Sequence, residues 1–263
     1  RPGKTDSRAH GLWLALAMLL GVAAALLPPA QVFAGLVVAA LVTAALITPL
    51  AGAVALMILA PLRTLIATEA ALALPLDIGQ IALLVTLAAW LLRDLATRRR
   101  WPRLTWTPFL IPVLLFVAVV SLTAFSAHSM RLWLNEWLKW IKLLLLLLFV
   151  RAAGHGAWRW LLAGLIASGA ANALIGVYQF FGGSGALHLL IDDRFFRAFG
   201  TFGQPNPFGG FMGLLAPLAA AAALGGAYSF YRSRARRDLL LAGFYAAATA
   251  LLLVGLLMSW SRG

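Results

Sequence analysis

Residues 194–211, from Arg194 to Phe211, read RFFRAFGTFGQPNPFGGF and interrupt a chain that is otherwise mostly unbroken hydrocarbon. Charge, turn residues and aromatics crowd together here as nowhere else. Gly200 and Gly203 accept left-handed conformations that side chains resist, while Pro205 and Pro207 fix φ and carry no N–H, so the stretch is a shaped loop and not a continued helix. The residue before a proline is pushed toward extended φ/ψ, which an N-cap also requires. Asn206 and Pro207 therefore predict a helix with Asn206 at its N-cap and Pro207 at its first position. That helix aims the positive end of its dipole back at the loop.

Outside the loop, composition decides the class. Hydrophobic residues make up 63% of the 263, charged residues only 11%, and mean hydropathy is +0.93, which leaves too little polar surface to cover a soluble globule. The expected fold is all-α: a polytopic transmembrane helical bundle forming a single domain over 1–263. With about 20 apolar residues to a span, nine spans are expected, at 11–28, 31–48, 50–67, 76–95, 105–125, 131–151, 157–182, 207–230 and 238–258. The second and third, parted only by Pro49, are either a tight helical hairpin or one broken element. The first has a basic flank but no cleavage site followed by a soluble domain, and reads as a retained span. A chain that starts at Arg1 and stops at Gly263 inside a motif is expected to be the N-terminal portion of a longer protein.

Net charge is +13, yet the basic residues sit in short clusters between apolar runs and form no stripe, so they mark topology and not a nucleic-acid face. With the N-terminus cytoplasmic, alternation puts 14 of the 21 basic residues inside, among them Arg93, Arg98, Arg99, Arg100 and Arg103, then Arg232, Arg234, Arg236 and Arg237. Residues 194–211 and the terminal Ser261-Arg262-Gly263 then face out. Tryptophans flank the predicted boundaries, Trp260 the last of them. No cysteine is present, which excludes disulfides and thiolate chemistry.

Three segments carry a family resemblance: R-A-F-G-T-F-G-Q-P-N-P-F at 197–208, Y-Q-F-F-G at 178–182 and S-W-S-R-G at 259–263. Together they resemble the O-antigen ligase and O-antigen polymerase superfamily, bacterial membrane proteins that move glycans from a polyprenyl diphosphate carrier to an acceptor. The resemblance implies a GT-C-like architecture in the bacterial plasma (inner) membrane. It also implies metal-independent, cofactor-free inverting glycosyl transfer at the outer face, from a polyprenyl diphosphate-linked glycan to a glycan or lipid acceptor. Arg197 and Arg262 match the motif arginines that bind the diphosphate and stabilise it as it leaves. The family's proposed base is a histidine in a large external loop after the S-R-G segment, so it is expected beyond residue 263 and the portion in hand is expected to be inactive alone.

Each residue also has a plainer reading. A guanidinium pairs with phosphate oxygens through a planar fork, but Arg197 and Arg262 are equally explained as interface arginines snorkelling to headgroups, Arg262 also complementing a helix C-terminus. Arg194 is a weaker phosphate candidate or a headgroup contact. Gly200, Gly203 and Asn206 are a turn and a cap, or with their N–H groups an anion seat. Gln179, beside Tyr178, is an interfacial polar cap or a sugar contact; Ser261 joins the substrate-binding candidates with its segment. Glu136 and Lys139 pair at i,i+3, whereas Lys142 has no local partner and is either an intramembrane phosphate contact or a snorkelling lysine. Asp192 and Asp193, adjacent and divergent, and the histidines His10, His128, His155 and His188, which lack zinc spacing, make no metal site. No Rossmann fingerprint, P-loop or catalytic serine motif is present. The alternative function is a transporter or flippase of a lipid-linked or anionic substrate, with Lys142 as its midplane charge.

Overall fold

A computed structural model describes residues 18, 21, 28–62, 78–98, 107–154, 156–183, 186–191 and 193–261. The expected first span at 11–28 lies almost wholly outside them, as do Arg262, Asp192, His10 and His155. Eight α-helices make up most of the rest: α1 Pro29–Ile47, α2 Pro49–Leu59, α3 Ile78–Arg98, α4 Leu110–Leu122, α5 Met130–Ala152, α6 Ala157–Tyr178, α7 Pro205–Ser233 and α8 Arg236–Met258. A two-stranded antiparallel hairpin, β1 Leu190–Ile191 with β2 Phe195–Phe196, stands between α6 and α7.

Among the described residues, four helices are long and apolar enough to cross a membrane: Ile78–Thr97, Ala157–Gly183, Pro205–Ser233 and Arg236–Met258. They coincide with the expected spans at 76–95, 157–182, 207–230 and 238–258. Large side chains such as Leu214, Leu224 and Leu257 point outward from α7 and α8, as a lipid-facing surface requires. Of the other expected spans, 31–48 corresponds to the 19-residue α1. Two are shorter as helices: α2 with its closing 3₁₀ turn covers Pro49–Leu62, and α4 with its own covers Leu110–Ser126. At 1.5 Å per residue, the 11 residues of α2 reach only about half of a ~30 Å hydrocarbon core. Helix α5 is 23 residues long but carries Arg131, Glu136, Lys139, Lys142 and Arg151.

Proline explains the break between α1 and α2. Pro49 opens α2 and forces Thr48 into extended backbone, φ −150° and ψ 124°, so one residue ends one helix and caps the next. Of the two readings left open by the sequence, two separate helices is the observed one. The same rule corrects the start of α7. It begins at Pro205 with Gln204 as the N-cap, two residues before the expected start. Both prolines fall in the first turn, where an N–H has no intrahelical partner to lose, and Asn206 is thereby released from capping.

Two packed groups form the body. In the first, α1, α2 and α3 meet at Leu41, Leu56, Ala82 and Leu83. In the second, α7 and α8 form a long hairpin against α6 around Ile166, Phe208, Met212, Leu215 and Leu252. Helix α2 packs on α6 to join them, while α4 and α5 form an outer hairpin that reaches α3. Trp133 and Trp137 tie that hairpin by donating to Thr123 Oγ1 and Ser121 Oγ at 3.0 and 2.8 Å.

Phe208 is the wedge of the second group. It is fully buried, and a Cβ on Gly176 would lie 2.6 Å from its Cζ, one on Gly200 2.7 Å from its Cδ2, and one on Gly255 3.3 Å from its Cζ. One ring thus touches α6, the loop and α8 at once, because glycine lets each backbone come close. Gly176→Ala is therefore expected to destabilise the bundle by about 1–3 kcal/mol through overpacking. Gly225→Ala, where nothing lies within 4 Å, is expected to be neutral or mildly stabilising; thermal unfolding of both variants in detergent checks the pair.

Candidate functional site

A strap of irregular backbone runs from β2 into α7, and its polar groups are paired one by one. Arg197 N donates to Leu189 O at 2.8 Å and Ala198 N to Met258 O at 2.9 Å. Phe199 N and Gly200 N both donate to Gln179 Oε1, at 3.1 and 2.7 Å, while Gln179 Nε2 returns a bond to Gly200 O at 2.8 Å. Thr201 N donates to Asn172 Oδ1 at 3.1 Å, and Phe202 N turns back onto Phe199 O. The single hydroxyl proton of Thr201 lies between Pro61 O at 2.6 Å and Asn172 Oδ1 at 2.7 Å, which links the strap to the end of α2 as well. Gln179 and Asn172 are seven residues apart and so share one face of the helical run from Ala157. Both amides are buried, and both serve the strap.

Held in this way, Arg197 reaches the end of α8. Its Nε donates to Ser259 O at 3.0 Å, and its Nη2 donates to Trp260 O at 3.3 Å and to Asn206 Oδ1 at 3.2 Å. The two carbonyls lie where a helix leaves acceptors unpaired and its dipole is negative, so the guanidinium caps α8 by charge-assisted hydrogen bonds. Nη1, with two more N–H donors, has no partner among the described residues. Asn206 Oδ1 also accepts from Ser261 Oγ at 3.4 Å, leaving the amide Nδ2 without a partner among them. Gly209 supplies the last close approach: a Cβ there would sit 2.7 Å from both Ser259 Oγ and Ser261 Cβ.

Between these groups opens a cavity of about 580 Å³. Arg197, Asn206, Trp260 and Ser261 line its polar part, and Gly209, Gly210, Gly213 and Leu256 its apolar side. Among the described lining residues none is acidic, and the one charged side chain, Arg197, is positive. The first turn of α7, the positive end of that helix dipole, also faces it. Chemically, such a lining offers hydrogen-bond donors and a positive charge beside an apolar wall.

The candidates separate accordingly. Arg197, Asn206 and Ser261 come together, and Arg197 touches the two residues that precede Ser261-Arg262. Arg194 sits exposed on the hairpin turn and does not line the cavity. Gly200 and Gly203 do adopt positive φ, 54° and 73°, as a shaped loop requires. The anion seat expected on Gly200 is corrected, however, since its N–H already belongs to Gln179. Gln179, read as an interfacial polar cap or a sugar contact, is buried with its amide bound to the strap. Lys142 is half-buried midway along α5, which packs on α3 and α4 and not on the cavity. Lys139 and Glu136 form the anticipated pair at 2.6 Å, well exposed.

Asn172 escaped the sequence reading, and Thr201 and Ser259 entered it only as letters of the quoted segments, with no role of their own. A signal for Asn172 was present: a carboxamide inside an apolar, span-length helix must find a partner or carry a large desolvation penalty. No protein-family model, curated protein or solved structure matches the chain.

Replacing Gln179 with Leu would leave two strap N–H groups and one carbonyl buried and unpaired, so Gln179→Leu is expected to cost about 2–4 kcal/mol. Asn172→Leu should cost slightly less, because it strands fewer groups. Denaturant unfolding of both variants in detergent measures the difference.

Proposed function

We propose that this protein is a glycosyltransferase of the O-antigen ligase and polymerase type, acting on a polyprenyl diphosphate-linked glycan. The observation that carries the reading is the Arg197 guanidinium. It is fixed by carbonyls at the end of α8 on one side, and on the other its Nη1 donors meet no partner among the described residues, in a cavity whose described lining holds no acidic side chain. A diphosphate leaving group gains negative charge as its bond to the anomeric carbon breaks, and donors held in place beforehand stabilise that charge without reorganising. In this mechanism Arg197 grips the diphosphate, with Asn206 and Ser261 beside it. Arg262, one residue past Ser261, supplies the second guanidinium. The acceptor hydroxyl attacks the anomeric carbon from the opposite face and inverts it, its proton going to the histidine base that the resemblance implies. No metal or cofactor takes part.

The finer architecture belongs to the same proposal: about nine spans in a GT-C-like bundle of the bacterial inner membrane, the N-terminus cytoplasmic and the cavity outward. Arg93 supports this order. It donates to Ile47 O at 3.2 Å, which brings the far ends of α1 and α3 to one level, as alternation of spans requires. The basic turn between α7 and α8, with Arg232, Arg234, Arg236 and Arg237, sits at the end of the hairpin remote from the cavity. That is the side on which the positive-inside rule puts it.

Titration of the full-length protein in nanodiscs with undecaprenyl diphosphate tests the reading. Arg197→Ala is expected to weaken binding by about 10- to 100-fold, the range for hydrogen bonds to a charged group, and Arg197→Lys should fail to restore it because a lysine lacks the fork. Unchanged affinity in both variants would sink the proposal.

A further inference from the structure

Helix α8 closes on Ser259, and the next residue, Trp260, takes a left-handed φ of 49°. At this position after a helix, glycine or asparagine is the usual occupant, since a bulky side chain strains the left-handed backbone. The backbone of Trp260 has clear duties: its N–H donates to Leu257 O at 3.2 Å and its carbonyl accepts from Arg197. Glycine would perform both with less strain. The side chain is therefore what needs explaining. It is 54% exposed, so core packing does not account for it. It also lines the same cavity as Arg197 and Asn206.

We propose that the Trp260 indole is the stacking platform for a pyranose ring joined directly to the bound diphosphate, so that the cavity reads a sugar diphosphate and not the diphosphate alone. This rests on the reading of the cavity as a diphosphate site. A ring one bond from a phosphate gripped by Arg197 must lie close to that guanidinium, and Trp260 is the aromatic residue there. The electron-rich face of an indole attracts the polarised C–H groups on the apolar face of a sugar. Asn206 Nδ2 and Ser261 lie at the polar edge, suited to ring hydroxyls. A volume of about 580 Å³ has room for both portions. An indole serving only as a membrane-interface anchor has no need to line the cavity. Trp260 is thus a specificity-determining residue, selecting glycan-loaded carrier over spent carrier.

Three probes on the full-length protein in nanodiscs test this: undecaprenyl diphosphate, and the same lipid bearing one N-acetylglucosamine or one galactose. Wild type is expected to bind at least one sugar-bearing probe more tightly than the bare one. Trp260→Gly should abolish that gain, about threefold to tenfold, while leaving affinity for the bare diphosphate unchanged and unfolding at the same or a higher temperature. Trp260→Phe should keep most of the gain. The proposal is overturned if wild type shows no gain for either sugar. It is equally overturned if Trp260→Gly weakens all three probes alike, which would make the residue a support for Arg197, or if it changes none of them, which would leave an interface anchor. Failure of the diphosphate reading shows elsewhere, as bare-probe affinity unmoved by Arg197→Ala.

Discussion

An irregular stretch of backbone at the end of a membrane-length bundle has to pair its polar groups within the protein, and here two buried amides on one helix do much of that work. Gln179 and Asn172 take the N–H groups of Phe199, Gly200 and Thr201, and Gln179 returns a bond to a strap carbonyl. Unpaired, such groups cost free energy of the same order as a hydrogen bond each, and more in a lipid setting. Because they are paired, the strap has one conformation, and the side chain at its start has one direction. The placement of Arg197 is thus set by residues 18 and 25 positions earlier in the chain, neither of which touches the cavity.

Steric closeness complements the hydrogen bonds. Phe208 fills the junction of α6, α8 and the strap, and only glycines at 176, 200 and 255 admit it. Small residues are a general means of drawing helices together where lipid offers no hydrophobic drive. Here they act on a functional element, since they bring the tail of α8 within reach of Arg197. The same arginine then has two roles. It satisfies orphan carbonyls at a helix end, an ordinary structural duty, and its Nη1, which meets no partner among the described residues, is left beside a cavity whose described lining holds no acidic side chain. The capping contact orders the side chain in advance, and the proposed grip on a diphosphate relies on that preorganisation.

Much of this was legible in the chain. Apolar runs of span length identified α3, α6, α7 and α8, because a helix of that composition leaves only its internal hydrogen bonds available to its backbone. The glycines and prolines of 200–207 marked a shaped loop for local steric reasons. What the sequence misjudged were cases in which two local rules competed. Asn206 followed by Pro207 satisfies the capping preference, yet Pro205 is an equally good first residue, and the earlier start prevailed once Asn206 had Arg197 and Ser261 as partners. The run at 50–67 is apolar enough to span, but its α-helix ends at Leu59 and gives way to a 3₁₀ turn whose Pro61 carbonyl meets Thr201.

By itself, then, the amino-acid order determined the helical class, four of the apolar spans and the position of the loop, because each depends on hydropathy or on φ restrictions within a few residues. Which groups meet across the bundle was decided only by tertiary structure. Gln179 and Gly200, Arg197 and Ser259, Phe208 and Gly255 are separated by 21 residues or more, and no local rule encodes contacts at that distance. They follow from the packing of whole helices, and so it was the fold that turned Gln179 from a surface cap into an internal clamp and engaged the Gly200 N–H inside the protein.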